Sequence, residues 1–375
     1  MAERLSFAVH LYVHVPFCGR RCSYCDFAIA VRSATPDRDF LAAIAAEWQG
    51  VGAGAMAPGS AVDTIYFGGG TPSRLDPASI AALITLLGAD HSLTPDAEIT
   101  LEANPDDVTP AAADAWRAAG VNRVSLGVQS HRPHVLEWMH RTHRVEQVAP
   151  AMAALRAAGI DNVSVDLIFA LPAELQRDWS ADLEETLALA PSHVSLYGLT
   201  VEPHTPLARW TERGSVIAAP DDRYADEYLL AHAVLGVAGF TFYEISNAAL
   251  AGRRSRHNSA YWNGAGYLGL GPSAHSFADG VRRWNVRDWV EYQRRAASGG
   301  ILVAGEEVLD STARRLETLY LGLRTNGGIA ASLLAPDLAA RWVGAGWAVV
   351  QDERLTLTVE GWLRLDALVA AARDS

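Results

Sequence analysis

Up to about residue 240 the chain repeats one pattern: a short apolar run, a loop rich in polar residues and glycine, then a stretch with apolar residues every three or four positions. The apolar runs fall at residues 11–15, 64–67, 98–102, 123–128, 162–168 and 193–199 and read as strands. Helical periodicity falls at 39–49, 77–87, 110–119, 145–158 and 180–189, with a further helix at 224–238. Gly120 and Gly159, just past two of these stretches, read as helix C-caps. Six β–α repeats call for parallel strands joined by right-handed crossovers. The expected fold class is therefore α/β, with a partial (β/α)6 barrel over residues 1–240. In such barrels chemistry gathers at the C-terminal ends of the strands. The conspicuous polar and glycine positions lie there: a cysteine loop after the first strand, Gly68 to Thr71 after the second, Glu102 ending the third, Gln129 after the fourth and Asp166 late in the fifth.

Beyond residue 240 the pattern changes. Glycines and aromatics crowd together, including Tyr261, Trp262, Gly264, Gly266, Tyr267, Gly269 and Gly271. Residues 241–310 read as an irregular connecting region. Residues 311–375 read as a small, mostly helical C-terminal domain with a hairpin near 347–358 and a final helix, an order resembling a winged-helix module. The Gly- and Ala-rich run at 50–58 reads as a loop.

Composition narrows the chemistry. Half of the 375 residues are apolar, ample for a large core. A net charge of −12 leaves no global basic field to hold nucleic acid. There is no lysine; all 31 basic residues are arginine. A P-loop needs its lysine and a pyridoxal Schiff base needs a lysine amine, so both chemistries are excluded. Residues 1–7 lack the apolar core of a signal peptide, and no apolar run reaches the roughly 18 residues that span a bilayer. A cytoplasmic protein is expected. The 3 cysteines, an odd number, all fall within eight positions, unlike a secreted disulfide framework. Metal or cluster ligation is the expected use.

The cysteine loop runs Tyr12-Val13-His14-Val15-Pro16-Phe17-Cys18-Gly19-Arg20-Arg21-Cys22-Ser23-Tyr24-Cys25-Asp26-Phe27, a C-x3-C-x2-C spacing. Thiolates are soft anionic donors suited to iron–sulfur clusters. Three of them leave one iron of a cubane without a protein ligand. Arg20 and Arg21 offset part of the cluster's negative charge. The alternative is zinc held by Cys18, Cys22, Cys25 and a histidine such as His14, although structural zinc usually takes separated pairs of ligands.

C-x3-C-x2-C directly after a first strand resembles the signature of the radical S-adenosylmethionine (SAM) family. The resemblance implies a 4Fe–4S cluster whose open iron chelates the amino and carboxylate groups of SAM and whose electron cleaves it. Gly68-Gly69-Gly70-Thr71-Pro72 resembles the family's glycine motif for the SAM amino group; a tight turn is the alternative. Four further features resemble the branch containing oxygen-independent coproporphyrinogen III dehydrogenase: Leu101-Glu102-Ala103-Asn104-Pro105, Arg123-Val124-Ser125-Leu126-Gly127-Val128-Gln129-Ser130, Arg141, and Val165-Asp166-Leu167-Ile168-Phe169-Ala170-Leu171-Pro172. By that resemblance Tyr12, Tyr24, Gly69, Gly70, Thr71, Glu102, Gln129, Arg141, Asp166 and Thr200 line the SAM pocket. The roles suit the side chains. Glu102 and Asp166 accept from ribose hydroxyls or face the sulfonium, Arg141 forks onto a carboxylate, and Gln129 both donates and accepts. Each acid on its own also reads as a solvated strand end or a helix cap. The family often has glycine where Ala170 and Ala173 stand.

Within this branch the dehydrogenases carry an additional cysteine two positions after the third, and an N-terminal extension. Phe27 stands at the cysteine position, and Cys18 leaves no room for the extension. Both features resemble the HemW-type haem chaperones. Arg256-His257-Asn258-Ser259-Ala260-Tyr261-Trp262 is similar to their H-N-x-x-Y-W motif, which implies haem contact by His257 with Tyr261 and Trp262 against the macrocycle. The alternative for His257 is a hydrogen-bonded histidine that holds its region together. His275, in Gly269-Leu270-Gly271-Pro272-Ser273-Ala274-His275-Ser276, is a second candidate. The resemblance implies haem as cargo, handed to haem-requiring acceptor proteins, a respiratory enzyme at the membrane among the candidates. Two readings compete. One is an anaerobic coproporphyrinogen III decarboxylase, in which the cofactor supplies the organic power and the protein supplies position. The other is a barrel with a structural metal and no SAM chemistry.

Overall fold

The computed structural model describes residues 9–52, 60–89 and 91–373. The N-terminal segment and most of the expected 50–58 loop lie outside the described residues. All six expected strands form: β1 (Val9–Val15), β4 (Val62–Gly69), β5 (Leu93–Ala103), β6 (Arg123–Gln129), β7 (Asn162–Phe169) and β8 (His193–Gly198). Two short strands, β2 (Phe17–Cys18) and β3 (Ala30–Val31), pair with each other inside the cysteine segment. β1, β4, β5, β6, β7 and β8 are hydrogen-bonded neighbours in that order, all parallel. Helices Asp37–Glu47, Pro77–Ala89, Pro110–Ala118, Val148–Ala157, Trp179–Ala188 and Asp221–Val237 alternate with them. Gly120 and Gly159 end two of these helices at φ of 106° and 81°.

Side-chain alternation along the strands explains what this half of the molecule is for. One face carries Leu11, Val13, Ile65, Phe67, Leu101, Val124, Leu126, Val165, Leu167, Val194 and Leu196, all essentially inaccessible. That face packs under the helices. The other carries Tyr12, Tyr66, Glu102, Ser125, Asp166 and Ser195. A parallel sheet buried on both faces is normally apolar on both. This one keeps a polar inner face, as the wall of a binding chamber does.

Residues 241–310, expected as an irregular connector, are instead built into the same sheet. β9 (Thr241–Glu244) and β10 (Asn247–Ala249) extend the β8 edge in antiparallel fashion. β11 (Tyr267–Leu270) runs parallel to β1 on the opposite edge, and β12 (His275–Ala278), β13 (Val281–Asn285) and β14 (Val303–Val308) continue it as a meander. The result is a 12-stranded open sheet, ordered β14-β13-β12-β11-β1-β4-β5-β6-β7-β8-β10-β9. The partial barrel is thus confirmed and wider than the six repeats. Glycine density has a local cause. Gly271 has φ of 99°, and a Cβ there would lie 2.5 Å from the His14 carbonyl oxygen. The close crossing of this loop over β1 needs glycine.

The C-terminal part has helix Ser311–Leu323, β15 (Ile329–Ala330), helix Pro336–Gly344, the hairpin β16 (Ala348–Gln351) and β17 (Arg354–Leu357), and helices Val359–Trp362 and Leu365–Arg373. Asp352 and Glu353 turn the hairpin with φ of 50° and 62°, the two positive angles of a type I′ turn. A three-stranded sheet, β15-β17-β16, results. The Arg324 side chain pairs with Glu244 at 2.7 Å, and Trp342, Leu355 and Trp362 join the barrel's apolar cluster. Among the described residues, no helix is long and apolar enough to cross a membrane.

Candidate functional site

A cavity of about 440 Å³ opens at the C-terminal ends of the parallel strands. Its wall contains Cys18, Cys22 and Cys25 together with Tyr24, Gly69, Gly70, Thr71, Glu102, Gln129, Arg141, Asp166 and Thr200. Eight positions from distant parts of the chain thus meet around one space with the cysteine loop.

The loop is held from several sides. The β2–β3 pair closes its ends, with Ala30 N donating to Pro16 O at 2.7 Å and Arg32 N to Cys18 O at 2.9 Å. Ser23 N donates to Met139 O at 3.0 Å, and Leu207 N to Ser23 O at 2.9 Å. Tyr24 packs on Val135, Met139, Ile168 and Leu171. The thiols have polar company: Thr71 Oγ1 donates to Cys18 Sγ at 3.4 Å, and Arg141 Nη1 to Cys22 Sγ at 3.6 Å. Burial raises the Cys18 thiol and pushes Cys25 up to about 11. Thiolates there would need a cationic partner, such as a metal ion, to offset desolvation.

His14 does not join them. One ring nitrogen pairs with Tyr12 Oη at 3.2 Å and the other with Ala28 O at 2.9 Å. His14 is thereby engaged away from the thiols, whereas His140 lines the cavity they share.

Behind the thiols lies a set of polar groups held ready. Arg141 Nη2 donates to Asn104 Oδ1 at 2.6 Å and to Gly127 O at 2.9 Å. Its buried Nε, and the buried Oε1 of Gln129, have no hydrogen-bond partner. Unsatisfied polar atoms on a cavity wall call for a polar ligand. Gln129 is turned by a register irregularity between Leu126 and Gln129 and has φ of 67°. Glu102 accepts from Tyr66 Oη at 2.8 Å and from Gly69 N at 3.0 Å. Gly69 has φ of 110°, and a Cβ on it would strike the His14 ring at 2.6 Å. Burial pushes Glu102 up to about 7. Asp166 accepts from Ser125 at 2.9 Å and from Ser164 at 3.0 Å; burial raises it while these hydroxyls oppose the shift. Ala170 holds φ of 56°, a region that favours glycine, with its N–H on Glu227 Oε2 at 2.7 Å. Ala173 opens a short helical turn and needs no such conformation.

Two expected residues lie elsewhere. Tyr12 does not line the cysteine cavity. It stacks on Tyr66 at 6.0 Å and faces a separate space with Tyr261. Its place on β1, between Leu11 and Val13, puts it on the inner face. His257 is also removed from any ligand. It is 1% exposed, with Nδ1 on Thr64 Oγ1 at 2.6 Å and Nε2 on Tyr261 Oη at 2.8 Å. Both ring nitrogens are engaged, so the imidazole ties helix Arg256–Trp262 to β4 and is not open to haem iron.

Asn104, Ser125 and Tyr66 belong to the same site, through Arg141, Asp166 and Glu102 respectively. Asn104 sits inside a motif already quoted. Ser125 and Tyr66 were legible from strand alternation, because each shares an inner face with a picked acid.

The Radical SAM superfamily profile matches residues 12–186. The chain is 38% identical to Heme chaperone HemW of Mycobacterium tuberculosis (strain ATCC 25618 / H37Rv) over 366 residues, covering 96% of this chain and 93% of that protein. It is 31% identical to Heme chaperone HemW of Bacillus subtilis (strain 168), covering 91% and 90%. Among solved structures it resembles coproporphyrinogen III oxidase (HemN) from Escherichia coli, with a TM-score of 0.82 at 23% identity over 100% of this chain and 91% of that one. This last likeness concerns the fold alone.

Proposed function

Because the chain belongs to the radical SAM superfamily and, within it, to the HemW family, we propose that it binds haem and hands it to haem-requiring acceptor proteins. Its cysteine cavity would hold a 4Fe–4S cluster and SAM. When bound, these supply a redox centre with one iron open to the amino and carboxylate groups of SAM.

The chain's own groups have distinct tasks. Cys18, Cys22 and Cys25 would ligate three irons of the cluster, while Thr71 donates to Cys18 Sγ and Arg141 to Cys22 Sγ. Arg141 and Gln129, whose buried Nε and Oε1 lack partners, would meet the polar end of SAM. Gly69 and Gly70 would let the ligand approach the backbone, and Glu102 and Asp166 would meet its hydroxyl or sulfonium groups. Tyr24 and Thr200 complete the wall.

The observation that carries the chaperone reading over the dehydrogenase is Phe27. It lines the cavity and is 57% exposed, at the position where the dehydrogenase has a further cysteine. A phenyl ring offers no thiolate. The cytoplasm is the proposed compartment, and respiratory haemoproteins at the membrane are proposed acceptors.

The test uses one anaerobically reconstituted sample for two assays. Haem titration should give a saturable Soret change. Incubation with SAM, reductant and coproporphyrinogen III should give no vinyl product. Stoichiometric product with a flat haem titration would reverse the assignment.

A further inference from the structure

We propose that the haem iron is held by His275, in an aromatic cavity between helix Arg256–Trp262 and strands β11 to β13, and not by His257. The inference rests on the haem reading above and assigns the site for it.

The cavity measures about 390 Å³ and is lined by Tyr261, Trp262, Tyr267, His275, Phe277 and Arg282, among others. It adjoins a second of about 790 Å³; Trp262, Phe277, Glu317 and Leu321 line both. Each is within the roughly 300–1,000 Å³ of pockets that hold cofactor-sized molecules. The space lies apart from the cysteine cavity, with the stacked Tyr12 and Tyr66 rings between them.

His275 is exposed, in contrast with His257. Its ring stacks on Trp284 with centroids 5.9 Å apart and planes 29° apart. The tryptophan lies beside the ring and leaves its nitrogens free: among the described residues no side-chain hydrogen bond to either is found. An imidazole flanked by an indole and with its nitrogens open is a competent axial ligand.

The rest of the space suits the rest of haem. Tyr261 and Tyr267 meet edge to face at 4.6 Å, and with Trp262 and Phe277 they offer flat apolar surface to a macrocycle. The larger cavity carries Arg314 and Arg354, which donate only to backbone carbonyls, of Leu309 and of Gly327 and Gly328. Neither faces a carboxylate partner among the described residues. Two guanidinium groups without counter-charges match a ligand with two carboxylates. Tyr261 and Trp262 of the H-N-x-x-Y-W motif thereby keep a haem contact, while His257 holds Tyr261 in place through its hydroxyl.

The experiment titrates ferric haem and metal-free protoporphyrin IX into the wild-type chain and His275→Ala, with circular dichroism as a check on folding. His275 is exposed, so the variant should fold. The wild type should saturate with haem. The variant should show a displaced Soret band and roughly tenfold or more weaker haem binding, with protoporphyrin IX affinity unchanged. A variant with the wild-type band and affinity overturns the ligand assignment alone. Equal loss of both porphyrins makes His275 a packing residue and also overturns it. A flat wild-type titration takes down the haem reading and the site together.

Discussion

The guanidinium of Arg141 lies 3.6 Å from Cys22 Sγ and, through Nη2, 2.6 Å from Asn104 Oδ1. One side chain therefore spans the thiol end and the polar end of the cavity. Arg141→Leu should leave iron and sulfide content largely intact and weaken SAM binding. Loss of a charged hydrogen bond costs about 1.5–3 kcal/mol, or roughly ten- to a hundredfold in affinity. Equilibrium dialysis with labelled SAM reads this. Unchanged affinity would remove Arg141 from the ligand shell.

Each cysteine should be indispensable to the cluster. Cys18→Ala, Cys22→Ala and Cys25→Ala should each abolish the broad visible absorption of reconstituted protein and most of its bound iron and sulfide. Full cluster content in any one of the three would show that a fourth donor exists.

Glu47 gives a pH dependence of stability. It is buried and accepts from Gly271 N at 2.8 Å and Asn285 Nδ2 at 2.6 Å, and also from Tyr292 Oη. Burial outweighs these donors and pushes its carboxyl up to about 7 from 4.5. A group raised in the fold binds more protons folded than unfolded between those values, so its contribution falls as pH rises through that window and is flat above it. The total is on the order of 3 kcal/mol. Glu47→Gln should remove this slope, so denaturant melts of variant and wild type should diverge from pH 4.5 to 7 in the variant's favour. Parallel curves would contradict the buried neutral acid.

His257→Ala should act on the fold. It leaves Thr64 and Tyr261 without their shared partner, at a cost of about 1–3 kcal/mol for buried polar groups. A melting temperature lowered by several degrees, with the haem Soret band at its wild-type position, is expected. A displaced band at full stability would return His257 to the iron.

The strands and helices up to residue 240 were legible because apolar alternation and helical periodicity are local signals. The thiols, Glu102, Asp166 and Arg141 were legible because strand ends in such a sheet converge. What was not legible depends on distant pairing. β11 lies beside β1 from more than 250 residues away, and its short, glycine-rich partners carry no periodicity long enough to read. The surroundings of Tyr12 and His257 were not legible for a related reason. A sequence shows that a tyrosine or histidine is present, but the inner face of a curved sheet decides which chamber it faces and whether its nitrogens are already bonded.

Haem transfer tests the central claim most directly. Protein loaded with one equivalent of haem is mixed with an excess of an apo-haemoprotein, and the acceptor is separated and its haem spectrum recorded. The account predicts stoichiometric transfer to the acceptor. Haem that stays on the chain, or never bound to it, would contradict the account.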